Sequence, residues 1–106
     1  MRVLRYKVNG EKGKEIDIRN NEVDLREEIG GELAAFALNE EVSIDVIYRS
    51  NSENDDLKPN CVVTKPDGEE VTIYGDFVVA GVNGRVFKRL EKEDDAFVLE
   101  KIRPIA

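Results

Sequence analysis

Gly75-Asp76-Phe77-Val78-Val79-Ala80-Gly81-Val82-Asn83-Gly84 is the stretch that decides the fold. It is an apolar strand fenced by glycines, and it ends in Asn-Gly, the dipeptide best suited to a tight hairpin turn. No side chain in its apolar run can transfer a proton, attack a carbon or hold a metal. That contrast runs through the chain, which specifies a compact domain far more clearly than it specifies a reaction.

Working outward, Phe77–Val82 and Arg85–Leu90 form one hairpin across Asn83-Gly84. Upstream, Cys61-Val62-Val63-Thr64 and Val71-Thr72-Ile73 form another across Lys65-Pro66-Asp67-Gly68-Glu69, a strong tight-turn sequence. Val42, Ile44, Val46 and Tyr48 alternate with Ser43, Asp45, Ile47 and Arg49, which predicts a strand over Val42–Tyr48. Asn39-Glu40-Glu41 turns the chain into it. Leu33 to Leu38 is apolar on both sides with small alanines, and predicts a strand covered on both faces or lying close under a helix. Before it, Asn21 caps a short helix with Leu25 and Ile29 one turn apart, and Gly30-Gly31 stops that helix. At the start, Val3 to Val8 alternates with charged residues, and Ile16 and Ile18 return as the second strand of a first hairpin. The tail, Glu91 to Ile102, opens with acids and predicts a C-terminal helix, with a strand as the alternative at residues 96–102. The expected fold is α+β: a small, mostly antiparallel sheet built from hairpins, one short helix after the first hairpin and one C-terminal helix, in a single domain over residues 1–106.

Composition narrows the function. The chain has 106 residues, 41% hydrophobic and 37% charged, with a formal net charge of −7. No apolar run approaches the ~20 residues of a membrane span. Met1 to Lys7 mixes charges with apolar residues and lacks a small-residue cleavage site, so a secretory signal is not expected. Cys61 has no second cysteine to pair with, which fits a reducing cytoplasm. Residues 1–19 carry a net +3, residues 20–84 a net −11, and residues 85–106 a net +1. A surface with that excess of negative charge repels phosphate backbones, so neither nucleic acid nor membrane is an expected partner. An acidic face suits a basic protein surface instead.

With no histidine, serine–histidine and cysteine–histidine nucleophile pairs are excluded within the chain. One cysteine and no histidine also exclude an ordinary structural zinc site. Cys61 reads as a small buried hydrophobe. Asn51, Glu53 and Asp55 alternate as calcium-loop ligands do, but Asp56 or Leu57 stands where glycine is needed, and Val62 where the closing glutamate belongs. Gly30-Gly31 follows a helix instead of preceding one, so it is a helix stop and not a phosphate loop. Arg85, Lys88 and Arg89 near Phe87 would form a small anion-binding patch with Arg2, Arg5 and Lys7 if their strands are neighbours; the alternative is a charged edge strand. No catalytic residue, cofactor or metal ligand stands out.

Leu25…Ile29-Gly30-Gly31, the strand at Val42–Tyr48, Leu57-Lys58-Pro59-Asn60, Gly75 to Gly81 and Phe87…Leu90 together resemble a domain family of bacteriophages, prophages and conjugative elements whose function is not assigned. The resemblance spans about residues 2–102 and departs at Ser50 to Asp56, where a tight glycine turn is more usual. It implies a mobile-element setting in a bacterial cytoplasm and brings no catalytic residues with it.

Three functions follow as expectations. The first is a non-enzymatic protein that binds and modulates, by inhibition, a host protein such as a restriction nuclease or RNA-cutting toxin, through acidic residues Glu40, Glu41, Asp55 and Asp56. The second is a homo-oligomeric sponge holding a nucleotide with Arg85 or Arg89. The third is a metal-dependent enzyme using carboxylates.

Overall fold

The computed structural model describes residues 1–50 and 56–105. The chain runs β1 (Arg2–Tyr6), β2 (Lys12–Asp17), α1 (Glu22–Ile29), β3 (Leu33–Ala37), β4 (Ile44–Arg49), β5 (Pro59–Thr64), β6 (Glu70–Tyr74), β7 (Phe77–Asn83), β8 (Val86–Lys88), a 3-10 turn over Lys92–Asp94, α2 (Asp95–Lys101) and β9 (Ile102–Pro104). The α+β class, the early short helix and the C-terminal helix are all as expected from the sequence.

β7 organises the molecule. It lies between β1 and β4 in a sheet of order β2-β1-β7-β4-β3, and β8 continues the line of β1 along the second half of β7. All its residues except Asn83 are buried. Period-two alternation sends its side chains to opposite faces. Phe77 and Val79 enter a core with Leu4, Tyr6, Ile44 and Val46, which a second sheet of order β6-β5-β9 covers with Cys61, Val63, Ile73 and Ile102. Val78 and Ala80 face the other way, onto Val3, Ile47 and Leu25 of α1. The protein is therefore three layers deep: α1, the six-stranded sheet, and the three-stranded sheet with α2. Gly81 is required by crowding, because a Cβ there would lie 2.6 Å from the Arg89 carbonyl oxygen.

α1 forms where its signals predict. Asn21 accepts a hydrogen bond from the Asp24 N–H at 2.8 Å, satisfying an otherwise orphaned donor. Gly30 ends the helix at φ 81°, a left-handed conformation that glycine takes without steric penalty. Leu25 and Ile29 are the helix's buried residues, and they anchor it to the sheet.

One buried polar residue ties the two sheets together. Asn60, 1% exposed, opens β5 and donates from Nδ2 to the carbonyls of Tyr6 at 3.1 Å and Gly75 at 2.9 Å. Its Oδ1 accepts from the Lys12 ammonium, which also donates to the Lys7 carbonyl. β1, the β1–β2 connection, β5 and the β6–β7 link thus meet at a single amide.

Four expectations need correction. There are two sheets instead of one, because β5, β6 and β9 pair among themselves. Leu33 to Leu38 is not a doubly covered strand: β3 is the edge of the larger sheet and is only partly buried. α1 lies against it, as the other alternative for this run has it, while Ala35 stays exposed. The strand expected from Val42 begins at Ile44, since Val42 sits at φ 53° and is 58% exposed. The tail takes the expected helix and not the strand alternative at residues 96–102, but α2 ends at Lys101 and Ile102 passes directly into an unforeseen strand, β9, which pairs with β5.

Candidate functional site

The β3–β4 turn is the place where local chemistry and backbone disagree. Val42 N–H donates to the Asn39 carbonyl at 3.2 Å, closing a tight turn around Glu40 and Glu41. A residue in the left-handed region follows such a turn so that the strands keep their twist, and glycine normally takes that place. Here it is Val42, a β-branched residue at φ 53°. That conformation stores of order 1–2 kcal/mol of strain. The surroundings over-determine it. The Asn39 side chain accepts from the N–H groups of Ser43 at 3.0 Å and Ile44 at 3.1 Å and donates to Ser43 Oγ at 2.8 Å.

The result is a fixed tip that holds two carboxylates and one isopropyl group in water. Glu40 and Glu41 are exposed, and neither has an ion-pair partner among the described residues. Behind the tip lies a cleft of about 230 Å³, whose lining includes Leu38, Glu40, Glu41, Lys65, Pro66, Phe97 and Lys101. Its two lysines are drawn back over aromatic rings, Lys65 5.3 Å from the centre of Phe36 and Lys101 5.7 Å from that of Phe97. Cations over ring faces are held by the ring quadrupole. Lys65 also pairs with Glu69 at 3.3 Å.

Asp45 adds to this end of the hairpin. It stands opposite Ala37 on one side and Ala80 on the other, and burial holds its carboxyl above the usual aspartate range. A raised folded pKa means that ionisation destabilises the native state as pH rises from the unfolded value through the folded one. Asp45→Asn is therefore expected to stabilise the protein at pH 7, with the gain vanishing near pH 3. Urea unfolding at the two pH values checks it; an equal gain at both would mean that charge burial is not the cause. Glu11 and Asp24 act in the opposite sense, since hydrogen bonds from Lys14 and Arg5, and from Arg19, hold them below their ordinary values. Their stabilisation is present above the unfolded carboxylate range and is lost as pH falls through the folded one.

The sequence-predicted acidic residues do not converge. Glu40 and Glu41 share the tip, but Asp56 lies beyond the other end of β4, a strand about 17 Å long at the rise of extended chain. Asp56 borders a separate cleft of about 410 Å³ at the C-terminus of α1, together with Gly30, Arg49, Leu57 and Gly75. Among the described residues the two clefts share no lining residue. Asp55 and the alternating ligands Asn51, Glu53 and Asp55 lie outside the described residues, as does most of the Ser50–Asp56 loop.

Of the four described carboxylates lining the larger cleft, two are already engaged. Glu28 lies 3.6 Å from Arg5, and Asp76 accepts from the Val8 N–H at 2.9 Å. Among the described residues no three acidic or thiol side chains are grouped to hold a metal ion.

Of the basic residues, Arg2 and Arg89 come together, since β8 and β1 lie end to end beside β7 and the Leu90 N–H donates to the Arg2 carbonyl at 2.8 Å, whereas Lys7 and Arg85 lie beyond opposite ends of β7. Among the described residues, three of the six stand in ion pairs. Arg2 is bound to Asp95 and Glu15, Arg5 to Glu11, and Arg89 lies 3.3 Å from Glu91. Hydrogen bonds to Asp95 keep the Arg2 guanidinium protonated at any ordinary pH. An anion at Arg2, Arg5 or Arg89 would have to displace those carboxylates.

Two buried groups complete the inventory. Cys61 is fully buried, and burial pushes its thiol up to about 11, so it stays protonated. Tyr6 stacks on Phe77 with ring centres 4.7 Å apart, and its buried hydroxyl has no hydrogen-bond partner among the described residues. That hydroxyl lies close to Gly13, where a Cβ would come within 3.2 Å of it.

What sequence reasoning missed is Val42, the one residue that makes this turn unusual. Its signal was present: Asn-Glu-Glu-Val supplies a turn with no glycine to close it. Comparison of the chain with protein-family models, curated proteins and solved structures finds no match.

Proposed function

We propose that this chain is a non-enzymatic binding protein that modulates a host protein, and that the β3–β4 tip, Glu40-Glu41-Val42, is the point of contact. The observation that carries the reading is Val42, an exposed β-branched residue held at φ 53° where glycine would relieve the strain. Local rules are broken where function demands it, and this one is broken at an exposed position where packing gives no return. A rigid tip that pairs an apolar group with two unpaired carboxylates suits a shallow apolar socket rimmed by lysine or arginine. A nucleic-acid-acting enzyme or toxin has such basic rims, and inhibition follows if the tip occupies that cleft. The resemblance to the mobile-element family supports a bacterial host protein as the partner. Glu40 and Glu41 are retained from the sequence as binding residues, and Asp56 has no part in this contact because it borders a different cleft.

The test is affinity capture from bacterial lysate, with quantification of whichever protein binds the wild type stoichiometrically. Glu40→Lys with Glu41→Lys is expected to weaken that binding at least tenfold at low salt and to flatten its salt dependence. Glu93→Lys with Glu100→Lys, at two exposed acids, makes the same change in net charge and is expected to change binding little. Equal losses in the two variants would reduce the effect to net charge and remove the tip from the account.

A further inference from the structure

Sheet edges expose unpaired backbone groups, and soluble proteins protect them with charge, proline, irregularity or brevity. Among the described residues every edge strand but one contains at least one charged residue or proline. β2 carries Lys12, Lys14, Glu15 and Asp17. β6 opens on Glu70, and β9 is three residues long with Arg103 and Pro104. β8 is equally short, and the Asn20 side chain donates to its Phe87 carbonyl at 2.8 Å. β3 is Leu33-Ala34-Ala35-Phe36-Ala37, without charge or proline and in regular register with β4, in a chain that is 37% charged. No strand pairs with its outer side among the described residues.

The register fixes what that side offers. Ser50 N–H donates to the Glu32 carbonyl and Leu38 N–H to the Ile44 carbonyl, so the even-numbered residues of this strand bond inward to β4. The N–H and C=O groups of Leu33, Ala35 and Ala37 therefore point outward. These six groups are symmetric about Ala35.

We propose that β3 is a homodimerisation edge, on which the β3 strand of a second copy pairs antiparallel with Ala35 on the two-fold axis. In that register Ala35 faces its own copy, and Leu33 faces the partner's Ala37, so all six outward groups are satisfied. On the face toward the smaller sheet, Phe36 lies opposite the partner's Ala34, and the two Phe36 rings are diagonal neighbours within reach of each other. Large meets small along the strand, and Glu32 meets an uncharged Leu38, so no like charges stand opposite one another. This pairing leaves β8, with Arg85 and Arg89 beside it, on the far side of β7 and β4, so the dimer does not bring those arginines into a shared nucleotide site.

A five-residue strand contact is small, which places it among weak and reversible assemblies, populated at about 0.1–1 mM. Two copies of net charge −7 repel, so salt strengthens this dimer. The test is sedimentation equilibrium of the wild type, Ala35→Lys and Ala35→Pro at low and moderate salt, with circular dichroism as a check of fold. Ala35→Lys sets two ammonium groups against each other at the axis. Ala35→Pro removes a donor that β4 does not use. The wild type is expected to dimerise reversibly and more tightly as salt rises, and both variants to remain monomeric. Should the proline variant lose its fold, the lysine variant, on an exposed side chain, decides alone. A wild type that is monomeric at about 1 mM, or a dimer that folded variants retain, overturns the proposal; the first result would leave the edge to a foreign strand.

Discussion

Asn60→Ala is expected to lower the free energy of unfolding by about 3 kcal/mol, the largest effect of any single substitution considered for this chain. The side chain is 1% exposed and satisfies the carbonyls of Tyr6 and Gly75, neither of which alanine can reach. A buried acceptor left without a donor costs about 1–3 kcal/mol, and here there are two. The Lys12 ammonium also loses one of its acceptors, which loosens the β1–β2 connection. Because these partners come from both sheets, the loss falls on how the layers join more than on any one hairpin. Urea denaturation measures it as a lower midpoint with an unchanged slope. A loss below about 1 kcal/mol would mean that water replaces the amide, and that the layers are held by apolar packing alone.

Val42→Gly should act in the opposite direction on stability. Relieving a left-handed β-branched residue returns about 1–2 kcal/mol, less the 0.5–1 kcal/mol by which glycine enlarges the entropy of the unfolded chain. The net is a gain of up to about 1.5 kcal/mol, seen as a higher melting temperature. The isopropyl group is 58% exposed, so little packing is lost in exchange. The same substitution removes the apolar contact from the tip and frees its backbone, and on the proposed function it weakens partner binding about tenfold, or 1.4 kcal/mol. A variant that is more stable and less functional separates a strained binding element from an ordinary structural turn.

Much of the fold was legible because its signals are local. The glycine-fenced run at Phe77–Asn83, the Asn21 cap with Gly30 at the other end of α1, and the Pro66-Asp67-Gly68 turn each fix a short piece of backbone through neighbouring residues. What was illegible depended on distant partners. Leu33–Ala37 carries the pattern of a buried strand, and only the order of strands reveals that it stands at an edge. The split into two sheets rests on β9 finding β5 across some forty residues, which no local pattern announces. Asn60 looked like a corner residue beside Pro59, and its burial depends on β1 lying underneath. At the candidate site, Glu40 and Glu41 were visible as exposed acids in a turn, whereas Val42 continued the alternation of Ile44, Val46 and Tyr48 so well that it was assigned to the strand. Asp56 was grouped with the two glutamates by charge alone, and the length of β4 separates them.

The central claim is that the β3–β4 tip keeps its strain for the sake of a partner. The most direct measurement is the affinity of the captured host protein for wild type and Val42→Gly, taken beside the melting temperature of each. The account predicts a variant that melts higher and binds about tenfold more weakly. A variant that melts higher and binds as tightly as the wild type would contradict it, and would make Val42 a strained residue with no part in recognition.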